Sequence, residues 1–175
     1  MAETETYAAD RADVEKEKII QLVSFTIGEE QFGVDILMMQ EIIRATPITA
    51  VPNSPDFVEG VINLRENIIP VIELRKRLSL YTGEIDQSDT WILIMDIEGR
   101  ITGFIVDSVT EVVKIPVSFI EPPPEIIVAG LESQYIRGIC EIDDKLLILL
   151  DFNRILLVEE IEKLKEKGSD REGGN

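Results

Sequence analysis

The sequence predicts a mainly β protein built from two related β-modules, with a helix at its C-terminal end. Three observations carry that prediction. Apolar strand patterns broken by polar turns fill the chain from Ile19 to Phe152. Part of the chain overlays itself when slid by 78 positions. A helical apolar stripe appears only near the end, at Leu157, Ile161 and Leu164.

The strands come as hairpins. IIQLVSFTI, GEEQ and FGVDI give two strands around a glycine turn, and WILIMDI, EGR and ITGFIVDSV repeat the arrangement, both hairpins ending in Val-Asp. VINL, REN and IIPVIEL give another hairpin, with ICEI, DDK and LLILLDF as its counterpart. Phe57 to Leu78 lies over Tyr135 to Leu156 without a gap at the 78-residue shift, placing Gly60 on Gly138, Phe57 on Tyr135 and Arg65-Glu66-Asn67 on Asp143-Asp144-Lys145. The first hairpins match at a shift of 72, Asp35 on Asp107, so an insertion is expected near Glu121-Pro122-Pro123-Pro124. The modules span roughly residues 19–85 and 90–157.

Ile68-Ile69-Pro70-Val71-Ile72 and Leu146 to Leu150 are apolar without alternation, so both faces of those strands need cover, part of it from the other module. Pro70 lacks an N–H and suits an edge or bulge position. A short helical segment is expected at Leu74 to Leu80 and a longer helix over residues 153–167, started by Asp151 or Asn153. Residues 1–18 are expected to be flexible and residues 168–175, GSDREGGN, disordered.

The net charge of −17 narrows the function. Residues 1–18 hold six acids and three bases, and residues 157–175 six acids and four bases, which leaves 22 acids against 10 bases in the folded middle. A field of that sign repels phosphate backbones, which argues against nucleic-acid binding. A single cysteine rules out an internal disulfide and suits a reducing compartment. No stretch reaches the roughly 18 unbroken apolar residues of a membrane span, and the acidic N-terminus lacks a signal-peptide core, so a cytoplasmic location without membrane insertion is expected.

Catalytic equipment is sparse. The chain has no histidine, no cysteine cluster, and none of the glycine-rich phosphate loops or nucleophile elbows. Asp143-Asp144 lacks the alternating spacing of a calcium loop and suits a turn. Asp35, Asp107 and Asp151 end strands, where carboxylates cap and turn, and Cys140 lies in an apolar strand as an inert thiol. Neither a cofactor nor a metal is expected, nor is the chain expected to be an enzyme. Carboxylates are still numerous enough to leave a small hydrolase with an acid pair open as a remote alternative.

FTIGEEQFGVDILMMQEI, ITAVPNSPDFVEGVINLR, IIPVIELRKRL, GFIVDSVTEVVKI and YIRGICEIDDKLLILLDFNRIL, taken in order, resemble the CheW family of bacterial chemotaxis coupling proteins over about Ile20 to Leu157. The resemblance implies two intertwined five-stranded SH3-like barrels with a C-terminal helix. It also implies a non-catalytic adaptor, recruited to membrane-bound arrays, whose partners are the cytoplasmic tips of methyl-accepting chemoreceptors and the regulatory domain of the histidine kinase CheA. A detached regulatory domain of a CheA- or CheV-type protein shares this pattern and stays open.

By that resemblance Glu41 and Arg65 are candidates for receptor contact, with Met39, Ile42, Val61 and Asn63 beside them. A charged pair among Met39, Ile42 and Val61 suits a patch with an apolar floor and polar orientation points. The kinase-facing residues are left unassigned, with the second module expected to carry them. The family reads Asn-Leu-Arg-Gly where this chain has Asn63-Leu64-Arg65-Glu66-Asn67. Glycine takes a positive φ without strain, and Asn67 tolerates it better than Glu66, so the turn is expected to move one residue toward Asn67.

Overall fold

The computed structural model describes residues 18–80, 89–123 and 133–156. Residues 1–17 and most of the expected 153–167 helix and 168–175 tail lie outside them. Among the described residues ten strands form two five-stranded sheets. They are β1 (Ile19–Ile27), β2 (Glu30–Asp35), β3 (Met39–Arg44), β4 (Val58–Leu64), β5 (Asn67–Glu73), β6 (Trp91–Ile97), β7 (Arg100–Val106), β8 (Ser108–Pro116), β9 (Ile136–Ile142) and β10 (Lys145–Leu150). Short helices α1 (Leu74–Arg77) and α2 (Phe152–Ile155) follow β5 and β10, each capped by the acid before it, Glu73 and Asp151.

The orders β8-β1-β2-β10-β9 and β3-β6-β7-β5-β4 are the same pattern with the two repeats exchanged. Replacing β1 to β5 by β6 to β10, and the reverse, converts one into the other. Each SH3-like barrel therefore combines the leading hairpin of one repeat with the last three strands of the other. The central barrel takes β3 to β7 and the terminal barrel takes the rest. The chain passes between them at a 3-10 turn, Ile36–Met38, and at Asp107.

This exchange explains the apolar strands that do not alternate. In β6, Ile92 and Ile94 line the central barrel while Leu93, Met95 and Ile97 face the seam between the barrels. In β10, Leu147 and Leu149 line the terminal barrel while Ile148 and Leu150 face the seam. The seam is the largest apolar cluster, and Phe25, Phe32, Phe104 and Phe152 are fully buried in it. Each such side chain contributes about 1.5–3 kcal/mol of burial. Cys140 sits inside the terminal barrel, where burial pushes its thiol pKa up, as expected of an inert cysteine.

Gly60 and Gly138 have a steric reason to coincide. Thr49 exchanges backbone hydrogen bonds with Val61 at 2.9 and 2.8 Å, and Glu121 does the same with Ile139 at 2.8 Å, so the segments after β3 and β8 close the barrels over the two glycines. A Cβ on Gly60 meets the Thr49 carbonyl oxygen at 2.1 Å, and one on Gly138 meets Ile120 Cγ2 at 2.3 Å.

Two expectations need correction. The leading hairpins correspond at a shift of 70, not 72: Gly28-Glu29 and Glu98-Gly99 are the equivalent turns, and the bulges at Ser24/Phe25 and Met39/Glu41 fall at matching pairs, Ser24 with Glu111 and Ile94 with Glu41. Asp107 thus occupies the place of Leu37, and the shared Val-Asp ending is coincidental. Pro70 is not on an edge, since β5 lies between β4 and β7. Val61, opposite Pro70, spends both backbone groups on Thr49, making a pair without hydrogen bonds, and the β7 ladder begins only at Val71.

Candidate functional site: a groove at the mouth of the central barrel

Gln40 is the extra residue of the bulge between Met39 and Glu41, and such a bulge re-aims the side chains beside it. Glu41 stands opposite Ile94 on the face of β3 that continues into the barrel interior. Across the mouth, Leu64 pairs with Asn67, which leaves Arg65 and Glu66 as a two-residue turn. Both take positive φ, 50° and 70°. That is the turn geometry favoured by hairpin twist, here held by side chains that prefer to avoid it. The expected shift toward Asn67 does not occur: Asn67 opens β5, because the Leu64–Asn67 pairing fixes the register. The counterpart turn, Asp143-Asp144, has the same conformation with φ of 52° and 62°, using a residue type that tolerates it.

Arg65 Nη2 donates to Glu41 Oε1 at 2.6 Å. The arginine side chain is 73% exposed and that of Glu41 28%, so solvent screens the pair and it adds less than about 1 kcal/mol to stability. Its weakness as a staple makes it available for exchange with a partner's charges. The pair spans a groove of about 410 Å³ between β3 and the β4–β5 turn, with Leu64, Ile69, Ile94 and Ile101 beneath and Gln40 and Asn67 on the rim. Ile68, 65% exposed, extends the apolar surface outward.

The other candidates do not form the floor that the sequence suggested. Ile42 lies on the face of β3 opposite Glu41, in register with Leu93, and is 38% exposed. Val61 and Asn63 lie on the face of β4 opposite Ile62 and Leu64, Val61 against Thr49 and Asn63 across from Ile68. Met39 packs against the seam. Alternation turns Ile42 and Val61 away from the groove floor, Asn63 shares the outer face with Ile68, and the bulge at Gln40 removes Met39 from the face of Glu41. The floor residues Ile94 and Ile101 come from β6 and β7, which belong to the other repeat.

The terminal barrel has the equivalent opening, smaller at about 110 Å³, with Glu111, Asp143 and Lys145 as its charged residues and Ile142 and Leu147 among the apolar ones. Glu111 takes the place of Glu41 and Asp143 that of Arg65, so two acids stand where the central barrel has an ion pair. The two mouths occupy equivalent places and differ in size and charge.

Residues 21–160 match the family model described as CheW-like domain. The chain is 33% identical over 147 residues to the chemotaxis protein CheW of Treponema pallidum, covering 82% of this chain and 86% of that protein. It is 35% identical over 141 residues to the CheW of Klebsiella aerogenes, covering 81% and 84%. Among solved structures it resembles the scaffolding protein TtCheW from Thermoanaerobacter tengcongensis, with a TM-score of 0.74, 36% identity, and coverage of 82% of this chain and 91% of that one. The exchanged double barrel and these matches agree, and the chain belongs to the CheW-like domain family.

Proposed function

We propose that the chain is a non-catalytic chemotaxis adaptor that couples the cytoplasmic tips of chemoreceptors to the regulatory domain of the kinase CheA. The observation that carries this reading is the exposed Arg65–Glu41 pair over an apolar floor. Such a site offers apolar contact at its centre and charges at its edge, which is the anatomy of a protein-docking surface. Glu41 and Arg65 contact the receptor, with Ile42, Val61 and Asn63 flanking the mouth and Met39 supporting it from the seam. The kinase takes the terminal barrel, whose mouth carries Glu111 and Asp143 against the single base Lys145, an acidic excess that suits a basic rim on the partner. Matches to proteins named CheW over most of their length support the reading. In the cell it is cytoplasmic and reaches the membrane only through receptor arrays.

The test is capture of the CheA regulatory domain from the same organism by the purified chain. Retention at tens of micromolar supports the reading, and its absence at that concentration contradicts it. Receptor fragments are assayed in parallel with Arg65→Glu, which should lose receptor binding and keep kinase binding.

A further inference from the structure

Helix α1 is four residues long, and two of its three buried residues are arginines. Arg75 and Arg77 are only 7% and 8% exposed. Arg75 Nη2 bonds Asp107 Oδ1, at the point where the chain leaves the central barrel. Asp107 Oδ2 accepts from the backbone N–H of Gly28 at 2.6 Å, and its own N–H donates to Thr26 at 2.9 Å, both in the leading hairpin of the terminal barrel. Arg77 makes a second tie. Its Nε donates to the Ile155 carbonyl at 2.8 Å and its Nη1 to the Tyr135 hydroxyl at 3.1 Å.

The placement of Arg77 follows the internal symmetry. Its guanidinium lies 5.1 Å from the Phe57 ring and 5.0 Å from the Tyr135 ring, and those two aromatics are counterparts in the two repeats. Arg77 and Ile155 are counterparts as well. Arg77 therefore sits where the two repeats meet as equals, with one ring from each side.

These ties are costly as stabilisers. Arg75 Nε and Nη1 and Arg77 Nη2 are buried without a hydrogen-bond partner. Apolar residues of similar size often serve a buried position equally well or better for stability, and the better-attested use of a buried charge is to specify one arrangement. The seam supplies what such specification would act on. It is an apolar cluster with buried Thr102 beside it, opposite Met95, and burial of apolar surface is non-directional, so that burial alone holds the barrels together without fixing their angle. Hydrogen bonds and ring faces are directional.

We propose that α1 is a latch that sets the angle between the two barrels, and through it the relative position of their two mouths. Strand β5 carries Ile69 in the groove floor and runs directly into α1, so the groove and the latch share one strand. Without the latch the barrels rotate over the apolar seam about the crossings at Ile36–Met38 and Asp107, while each barrel stays folded.

The test is a spin-label distance measurement between Arg100→Cys on the central barrel and Lys114→Cys on the terminal barrel, in a Cys140→Ala background. The double substitution Arg75→Met and Arg77→Met should broaden the distance distribution about twofold or add a second distance, with the far-ultraviolet dichroism unchanged. Arg77→Lys, which keeps the charge and loses the planar fork, should broaden it less. An unchanged distribution in both variants overturns the proposal. So does global unfolding of both, since the arginines then act as ordinary core.

Discussion

Arg77 donates from Nε to the backbone carbonyl of Ile155 at 2.8 Å, and the two residues hold the same position in successive repeats. One repeat ends its short helix with a charge and the other with a fully buried isoleucine, so the fold is symmetric in its strands and asymmetric where the two halves touch. Duplication gives equivalent barrels, and divergence at a few positions makes them different.

The barrel-closing glycines give the sharpest steric prediction. Gly60→Ala forces a Cβ against the Thr49 carbonyl at 2.1 Å at a φ of +151°, and that carbonyl is backbone held by its hydrogen bond with Val61. Gly138→Ala presses mainly on the Ile120 side chain, which can turn, and reaches the Glu121 carbonyl only at 3.0 Å. Urea denaturation should show a loss above about 3 kcal/mol for Gly60→Ala and about 1–2 kcal/mol for Gly138→Ala. Equal losses would mean that Ile120 is as fixed as the backbone.

At the β4–β5 turn the native residue is the strained one. Glu66 has φ of 70°, and glycine adopts that conformation freely. Glu66→Gly should raise stability by up to about 1 kcal/mol, visible as a higher urea midpoint with an unchanged slope. It should leave the Arg65–Glu41 pair in place, because the register is set by Leu64 and Asn67.

Glu73 should leave a signature in the pH dependence of stability. It is 4% exposed, and burial raises its pKa above the ordinary 4.5, against the lowering effects of its hydrogen bond and charge contact with Arg75. Its neighbours in charge are Arg75, Glu59 and Lys76. A raised folded-state pKa means that the native protein binds this proton more tightly than the unfolded chain. The contribution is fully present below 4.5 and is lost as pH rises through the folded value. Glu73→Gln should therefore gain stability relative to the parent as pH goes from 4 toward 7, measured by denaturation at each pH. A difference independent of pH would show that Glu73 keeps its ordinary pKa.

Four hairpins were legible in the sequence because period-two apolar runs and polar turns are local signals. Strands β3 and β8 were not, and both are edge strands. A bulge at Gln40 breaks the alternation of β3, while β8 exposes Thr110, Glu111 and Val112 in a row. Self-overlap revealed two modules, and the family resemblance implied that they intertwine, yet likeness between repeats does not say which copy a strand pairs with, so the particular strands exchanged had to come from the structure. Similarly, Glu41 and Arg65 were named by resemblance, whereas Ile94 and Ile101 reach the groove from strands of the other repeat. Their placement depends on pairing across more than 50 positions, which no local pattern encodes.

The groove's chemistry predicts a separation of binding from stability. Arg65→Glu and Glu41→Arg each break an exposed pair and should move the melting temperature by no more than a few degrees. Each should weaken receptor binding by about 30-fold or more if the pair is a binding anchor. Combining the two restores the ion pair with its polarity reversed, and binding should stay weak, because the partner meets inverted charges. Recovery of binding in the double variant would make the pair a fold element instead.

The adaptor claim is tested most directly by bridging. A receptor signalling fragment held on beads is mixed with the CheA regulatory domain, with and without the purified chain, and the kinase domain retained is measured. The account predicts retention that rises with added chain, saturates, and falls again at excess as each partner is occupied separately. Kinase-domain retention that is the same with and without the chain would contradict it.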